Sequence, residues 1–128
     1  MAVDRNLRIL IVDDFPAMRR IMKNLLKKLD LQQVDEAHDG DEALALLRRG
    51  SYGLVLSDWN MQPKSGLDLV RDMRRDPRLA GTPFIMVTAD AKPESIAAAH
   101  QAGVSGYLVK PFTVEALKDK IEHVLGSF

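Results

Sequence analysis

Three aspartates, a threonine and a lysine stand where short apolar runs end. Asp13-Asp14 follow Ile9 to Val12, Asp58 follows Leu54 to Ser57, Thr88 follows Phe84 to Val87, and Lys110-Pro111 follow Tyr107 to Val109. If these runs are parallel strands of one sheet, a ligand site lies beyond their carboxyl ends and the five polar side chains share one rim. Crowded carboxylates raise one another's pKa unless a cation compensates, so the rim implies a metal ion. With no Cys in the chain and no His near the rim, the donors are all oxygen and select a hard ion. Mg²⁺ suits them, because it binds through one or two carboxylates and keeps waters for a phosphate-bearing substrate. Lys110 adds a point charge for one phosphoryl oxygen, and the Thr88 hydroxyl can donate to another. Phosphoryl transfer, in which positioning and charge neutralisation do most of the catalysis, is the chemistry these groups serve, with an aspartate as acceptor.

The elements that must position these residues are legible in the hydrophobic pattern. Five apolar runs, Ile9 to Val12, Gln33 to Ala37, Leu54 to Ser57, Phe84 to Val87 and Tyr107 to Val109, alternate with five stretches of helical periodicity. Runs of Ile, Leu and Val without polar alternation imply strands buried on both faces, and the order βαβαβαβαβα implies an α/β fold with a parallel sheet. The second run, diluted by Gln, Asp and Glu, belongs near a sheet edge.

In the first helix Met18, Ile21, Met22, Leu25, Leu26 and Leu29 form one stripe, opening at Asp14 or Phe15 with Pro16 in the first turn. The last helix places Val114, Leu117, Ile121, Val124 and Leu125 on one face, with Thr113 as N-cap and Gly126 as stop. Asp41 to Arg49, Gly66 to Arg75 and Pro93 to Ala102 supply the others, ended by Gly50, by Asp76-Pro77 and by Gly103.

Composition narrows the function classes. The 128 residues suit a single domain, 1–128, and 46% hydrophobic residues suffice to fold it. Eighteen basic and eighteen acidic residues cancel, which argues against nucleic acid or an anionic membrane as direct partner. No apolar run approaches the roughly 20 residues of a membrane span, and Met1 to Leu7 lack a signal-peptide core, so a cytoplasmic location is expected.

Four segments, each at a strand end and in matching order, resemble the receiver domains of two-component response regulators: Val12-Asp13-Asp14-Phe15, Ser57-Asp58-Trp59-Asn60-Met61, Met86-Val87-Thr88-Ala89 and Gly106-Tyr107-Leu108-Val109-Lys110-Pro111-Phe112. The resemblance spans essentially the whole chain and is nearest to the stand-alone chemotaxis regulators. It implies a doubly wound five-stranded parallel sheet, (βα)5 and flavodoxin-like, with strand order 2-1-3-4-5. It further implies Asp58 as phosphoacceptor, Asp13, Asp14, Asp58 and the Asn60 carbonyl as Mg²⁺ ligands, Lys110 as the phosphate-pairing lysine, Thr88 as the switch hydroxyl and Tyr107 as the switch aromatic. A cis bond between Lys110 and Pro111 also follows from it.

The chain departs from the family twice. Many receivers read Met-Pro after the phosphoacceptor strand, whereas here Met61-Gln62-Pro63-Lys64-Ser65-Gly66 displaces the proline by one and leaves the aim of the Asn60 carbonyl open. Asp90 stands where the chemotaxis regulators carry a longer Glu.

Ordinary structural uses compete with these roles. One Asp after a strand usually caps a helix, but two, with Asp58 and Lys110 opposite, do more. Thr88 or Tyr107 alone would read as a strand-end hydroxyl and a half-buried aromatic. Trp59 either covers the rim or touches a partner. His38, His100 and His123 read as solvated, while Met18, Met22 and Met86 read as core filler. Arg19, Arg20, Lys23, Lys27 and Lys28 read as the wet face of the first helix, or as a docking surface for an acidic kinase or phosphotransfer domain.

The resulting expectation is a switch, not an enzyme, that takes a phosphoryl group from a histidine kinase onto Asp58, with self-catalysed phosphorylation and dephosphorylation. No output domain follows residue 128, so it would act as a monomer by changing its affinity for a protein target, the flagellar motor switch being favoured. The target face would be the fourth helix, fifth strand and fifth helix, with Ala91, Lys92, Tyr107 and Lys120 as contacts, and a phosphatase would be a further partner. Phosphate sink and phosphorelay shuttle are the alternatives within this class. An aspartyl-phosphate phosphatase would need a general acid where Asn60 stands, and a flavodoxin-like cofactor binder would need a phosphate loop where Asp-Asp-Phe-Pro stands.

Overall fold

The computed structural model describes residues 4–126; residues 1–3 and 127–128 of the expected 1–128 domain lie outside the described residues. Strands and helices alternate as β1 (Ile9–Val12), α1 (Pro16–Lys28), β2 (Val34–Ala37), α2 (Gly40–Arg49), β3 (Leu54–Asp58), α3 (Gly66–Arg75), β4 (Phe84–Thr88), α4 (Pro93–Ala102), β5 (Gly106–Val109) and α5 (Val114–Leu125). All strands are parallel in the order β2-β1-β3-β4-β5, the doubly wound flavodoxin-like arrangement. The charged β2 is an edge strand, as its composition predicts.

Side chains of the inner strands β1, β3 and β4 alternate between two cores, which is why their runs carry apolar residues on both faces. Leu10, Val12, Val55, Phe84 and Met86 pack with Leu47 of α2, Leu69, Val70 and Met73 of α3 and Ala99 of α4. Ile9, Ile11, Leu54, Leu56, Ile85 and Val87 face the other way, onto Met22 and Leu26 of α1 and Leu117 and Ile121 of α5. Met22 and Met86 are core residues as expected, whereas Met18 is only partly buried.

Several boundaries differ from the expected ones for local reasons. β2 begins one residue late, at Val34. α2 starts at Gly40 because Asp39 caps it, accepting from Glu42 N at 2.9 Å. β3 and β4 run one residue further, so that Asp58 and Thr88 are themselves paired strand residues, opposite Val87 and Val109. α1 has no side-chain cap; the Phe15 N–H donates to Asp13 Oδ1 at 2.9 Å. Thr113 caps α5, accepting from Ala116 N, and Gly103 closes α4 at φ 112°, the left-handed region that favours glycine.

Candidate functional site

At the carboxyl ends of β1 and β3, carboxylate oxygens of Asp13, Asp14 and Asp58 lie within 4.8 Å of one another. Asp13 is buried, Asp14 is exposed and the Asp58 side chain is 11% exposed, so the trio runs from the protein interior to solvent. Lys110, at the end of β5, brings its Nζ to 3.4 Å from Asp13 Oδ2 and 3.6 Å from Asp58 Oδ1. Asp58 Oδ1 also accepts the Trp59 N–H at 2.8 Å.

Burial pushes the Asp58 pKa up; Lys110 opposes that rise, Asp13 and Asp14 add to it, and the Trp59 N–H opposes it. A carboxyl pushed up by burial, with two further carboxylates beside it, gains most from a cation, and three oxygen donors at this spacing with no sulfur or imidazole fit a hard divalent ion. Asn60 is exposed on the rim of an open cleft of about 660 Å³ whose walls also include Phe15, Asp58, Thr88, Lys92 and Lys110. The predicted rim residues are therefore together.

The backbone beneath Asp58 leaves no room for a side chain. A Cβ on Gly66 would overlap the Asp58 carbonyl oxygen, and the Gly66 N–H donates to the Trp59 carbonyl at 2.9 Å, closing the base of the loop 60–65. Both Lys110-Pro111, as expected, and Gln62-Pro63 are cis. The Trp59 ring packs against the core and is only partly exposed.

Thr88 and Tyr107 are linked through Asp90, a connection that no sequence signal revealed. The Asp90 N–H donates to Thr88 Oγ1 at 3.3 Å, and the Asp90 carbonyl accepts from the Tyr107 hydroxyl at 2.6 Å. Tyr107 is thus turned inward, 6% exposed, and its ring is not part of the outer face in this conformer. The Asp90 carboxylate accepts from Ser95 Oγ at 2.6 Å and from Lys92 N at 2.9 Å; the Ser95 bond foremost holds its pKa below the usual range. Ala91 and Lys92 are exposed, whereas Lys120, placed on the wet side of α5 by its spacing, is half-buried.

Other expectations meet mixed outcomes. His38 is largely exposed but paired, with Nε2 3.0 Å from Asp39 and Nδ1 2.8 Å from Glu42. His100 and His123 are exposed. Arg19 is not simply a wet-face residue, because it donates to the Asp13 carbonyl at 2.6 Å and to Glu36 at 3.0 Å.

The topology and the rim together define a doubly wound α/β protein with a carboxylate trio and a facing lysine at the carboxyl edge of its sheet. The response regulator receiver domain model matches residues 9–122, and the chain belongs to that family. It is 48% identical over 122 residues to chemotaxis protein CheY-3 of Vibrio cholerae, covering 95% of this chain and 94% of that protein. To chemotaxis protein CheY of Pseudomonas aeruginosa it is 52% identical over 118 residues, covering 92% and 95%. Among solved structures, Vibrio cholerae CheY4 matches with a TM-score of 0.87 and 32% identity, covering 94% of this chain and 99% of that one. The receiver domain of sensor histidine kinase PA1611 from Pseudomonas aeruginosa PAO1, solved with a magnesium ion coordinated in its active site cleft, matches with a TM-score of 0.86 and 28% identity, covering 95% and 99%. The protein is a two-component response regulator of the chemotaxis type, and among the described residues no helix is long and apolar enough to cross a membrane.

Proposed function

We propose that the chain accepts a phosphoryl group on Asp58 from a histidine kinase or phosphotransfer domain, and that this changes its affinity for a protein target, the flagellar motor switch. The observation that carries the reading is the convergence of Asp13, Asp14 and Asp58 with Lys110 beside two of them. Asp13, Asp14, Asp58 and the Asn60 carbonyl would hold Mg²⁺, which neutralises the carboxylates and the incoming phosphoryl oxygens. Asp58 supplies the attacking carboxylate oxygen, and burial with the Trp59 N–H orients it. Lys110 is near enough to Asp58 to pair with a phosphoryl oxygen there.

The chain would catalyse its own phosphorylation and dephosphorylation without acting on other substrates. Thr88 sits on the strand beside Asp58, and its hydroxyl could leave the Asp90 N–H for a phosphoryl oxygen, which brings about −1.5 to −2 charges. That movement would alter the Asp90 segment holding Tyr107, and so the face made by α4, β5 and α5. The kinase, the motor and a phosphatase are the partners this reading expects, with the chain cytoplasmic and monomeric. The likeness to chemotaxis proteins favours motor binding over phosphate sink or shuttle.

Acetyl phosphate with Mg²⁺, followed by intact mass, tests the reading. One phosphoryl adduct is expected on the native chain, and none without Mg²⁺. An equal adduct on Asp58→Asn overturns it.

A further inference from the structure

The loop 60–65 connects Asp58 to α3 and carries Asn60, yet its proline is displaced and lysine occupies position 64. Its middle is held from outside the loop. The Lys64 carbonyl accepts the Gly40 N–H at 3.3 Å, at the first turn of α2. The Lys64 stem lies across Gly40 so closely that a Cβ there would come within 2.6 Å of Lys64 Cγ and 2.9 Å of its Cβ. The Lys64 ammonium donates to Asp72 Oδ2 of α3. Both partners are partly buried, 24% and 28% exposed, and Arg75, the other cation near Asp72, is 3.9 Å away and 77% exposed. Met61, at the front of the loop, is buried.

We propose that Lys64 is a positioning residue for the metal site: clasped between Gly40 and Asp72, it fixes the loop and thereby the Asn60 carbonyl as a ligand. The proposal rests on the reading of Asp13, Asp14, Asp58 and Asn60 as the Mg²⁺ ligands. A loop free to move must be ordered when the ion binds, and a loop already clasped does not bear that ordering entropy. The clasp uses a charged pair that only the folded chain brings together.

The test is calorimetric titration of the full chain with MgCl₂ alone, without phosphodonor. Lys64→Met and Asp72→Asn are each expected to weaken Mg²⁺ binding roughly threefold to fivefold, the scale of a partly exposed ion pair. The double variant should be no weaker than either single one, and Lys64→Arg should restore most of the affinity. Gly40→Ala, whose Cβ must displace Lys64, should weaken binding at least as much. The sign separates the clasp from plain electrostatics, under which losing a positive charge favours a cation and would not weaken its binding. Lys118→Met, an equal charge change on α5, should leave the affinity within about twofold. Unchanged or tighter binding by Lys64→Met overturns the proposal, as does a lower Tm without a change in affinity. Failure of the native chain to bind Mg²⁺ overturns the ligand reading itself, whereas native binding with unaltered variants overturns the clasp alone.

Discussion

Lys110 Nζ lies 3.4 Å from Asp13 Oδ2, joining two residues 97 positions apart in the chain. The same ammonium is 3.6 Å from Asp58 Oδ1, so the lysine already balances two carboxylates before a phosphoryl group arrives. It also opposes the upward pKa shift that burial gives Asp58.

Replacing that lysine should therefore separate binding from switching. Lys110→Ala is expected to keep or tighten Mg²⁺ binding at pH 8, because the ammonium it removes both repels the metal and pairs with its ligands. The phosphorylated chain should lose most of its conformational response, read as the change in Tyr107 resonances on adding Mg²⁺ and a phosphate mimic. A full response in the variant would remove Lys110 from the mechanism.

The raised Asp58 pKa gives a pH dependence of defined sign. A carboxyl whose folded pKa exceeds its unfolded value contributes stability below the unfolded pKa and loses it as pH rises through the folded pKa. Ionised Asp58 at pH 7 is therefore a destabilising group without metal. Asp58→Asn should be more stable at pH 7, read as a higher Tm, and the gap should close as the buffer falls below the usual carboxylate range. Saturating Mg²⁺ should narrow it too, because the ion stabilises the native chain. A gap that widens on acidification would contradict the assignment.

Mg²⁺ binding should weaken on acidification, starting above the pH at which an ordinary aspartate protonates. Trp59, whose N–H caps Asp58 at 2.8 Å, provides the readout through its emission. A titration midpoint in the ordinary aspartate range would mean that Asp58 is not the limiting ligand.

Gly66→Ala should damage the site more than the fold. The added Cβ meets the Asp58 carbonyl oxygen, which is backbone and cannot turn aside. Phosphorylation by acetyl phosphate should fall at least tenfold, about 1.4 kcal/mol of lost transition-state stabilisation. Met73→Ala, at a fully buried core position, should destabilise by about 2–5 kcal/mol yet keep the rate while folded. Equal rate losses in both variants would make the Gly66 effect one of stability.

Thr88→Ala should uncouple phosphorylation from output. It removes the acceptor of the Asp90 N–H, 3.3 Å away, and the hydroxyl that would move to the phosphoryl group. Phosphorylation of Asp58 should continue, while the gain in affinity for motor-switch protein on adding a phosphate mimic should shrink severalfold. Complete switching from 1:99 to 99:1 needs roughly 5.5 kcal/mol, so residual binding without phosphate is expected. Lys120→Ala, at a half-buried position, tests the proposed face and should weaken binding in both states.

The sequence by itself determined the order of elements, the burial of the strands and the identity of the rim residues. Each of these follows from local pattern: continuous apolar runs demand two covered faces, and the chain leaves such a strand at a polar residue. Tertiary structure decided what the rim residues do to one another, because those effects depend on distances between strands far apart in the chain. Lys110 reaches Asp13 only because β1, β3, β4 and β5 lie side by side, and the high Asp58 pKa exists only once helices and neighbouring strands exclude water. The bonds of Asp90 to Thr88 and Tyr107 run through backbone atoms, which carry no sequence identity at all. The clasp of Lys64 on Gly40 and Asp72 joins α2, a loop and α3, so no periodicity along one segment could have announced it.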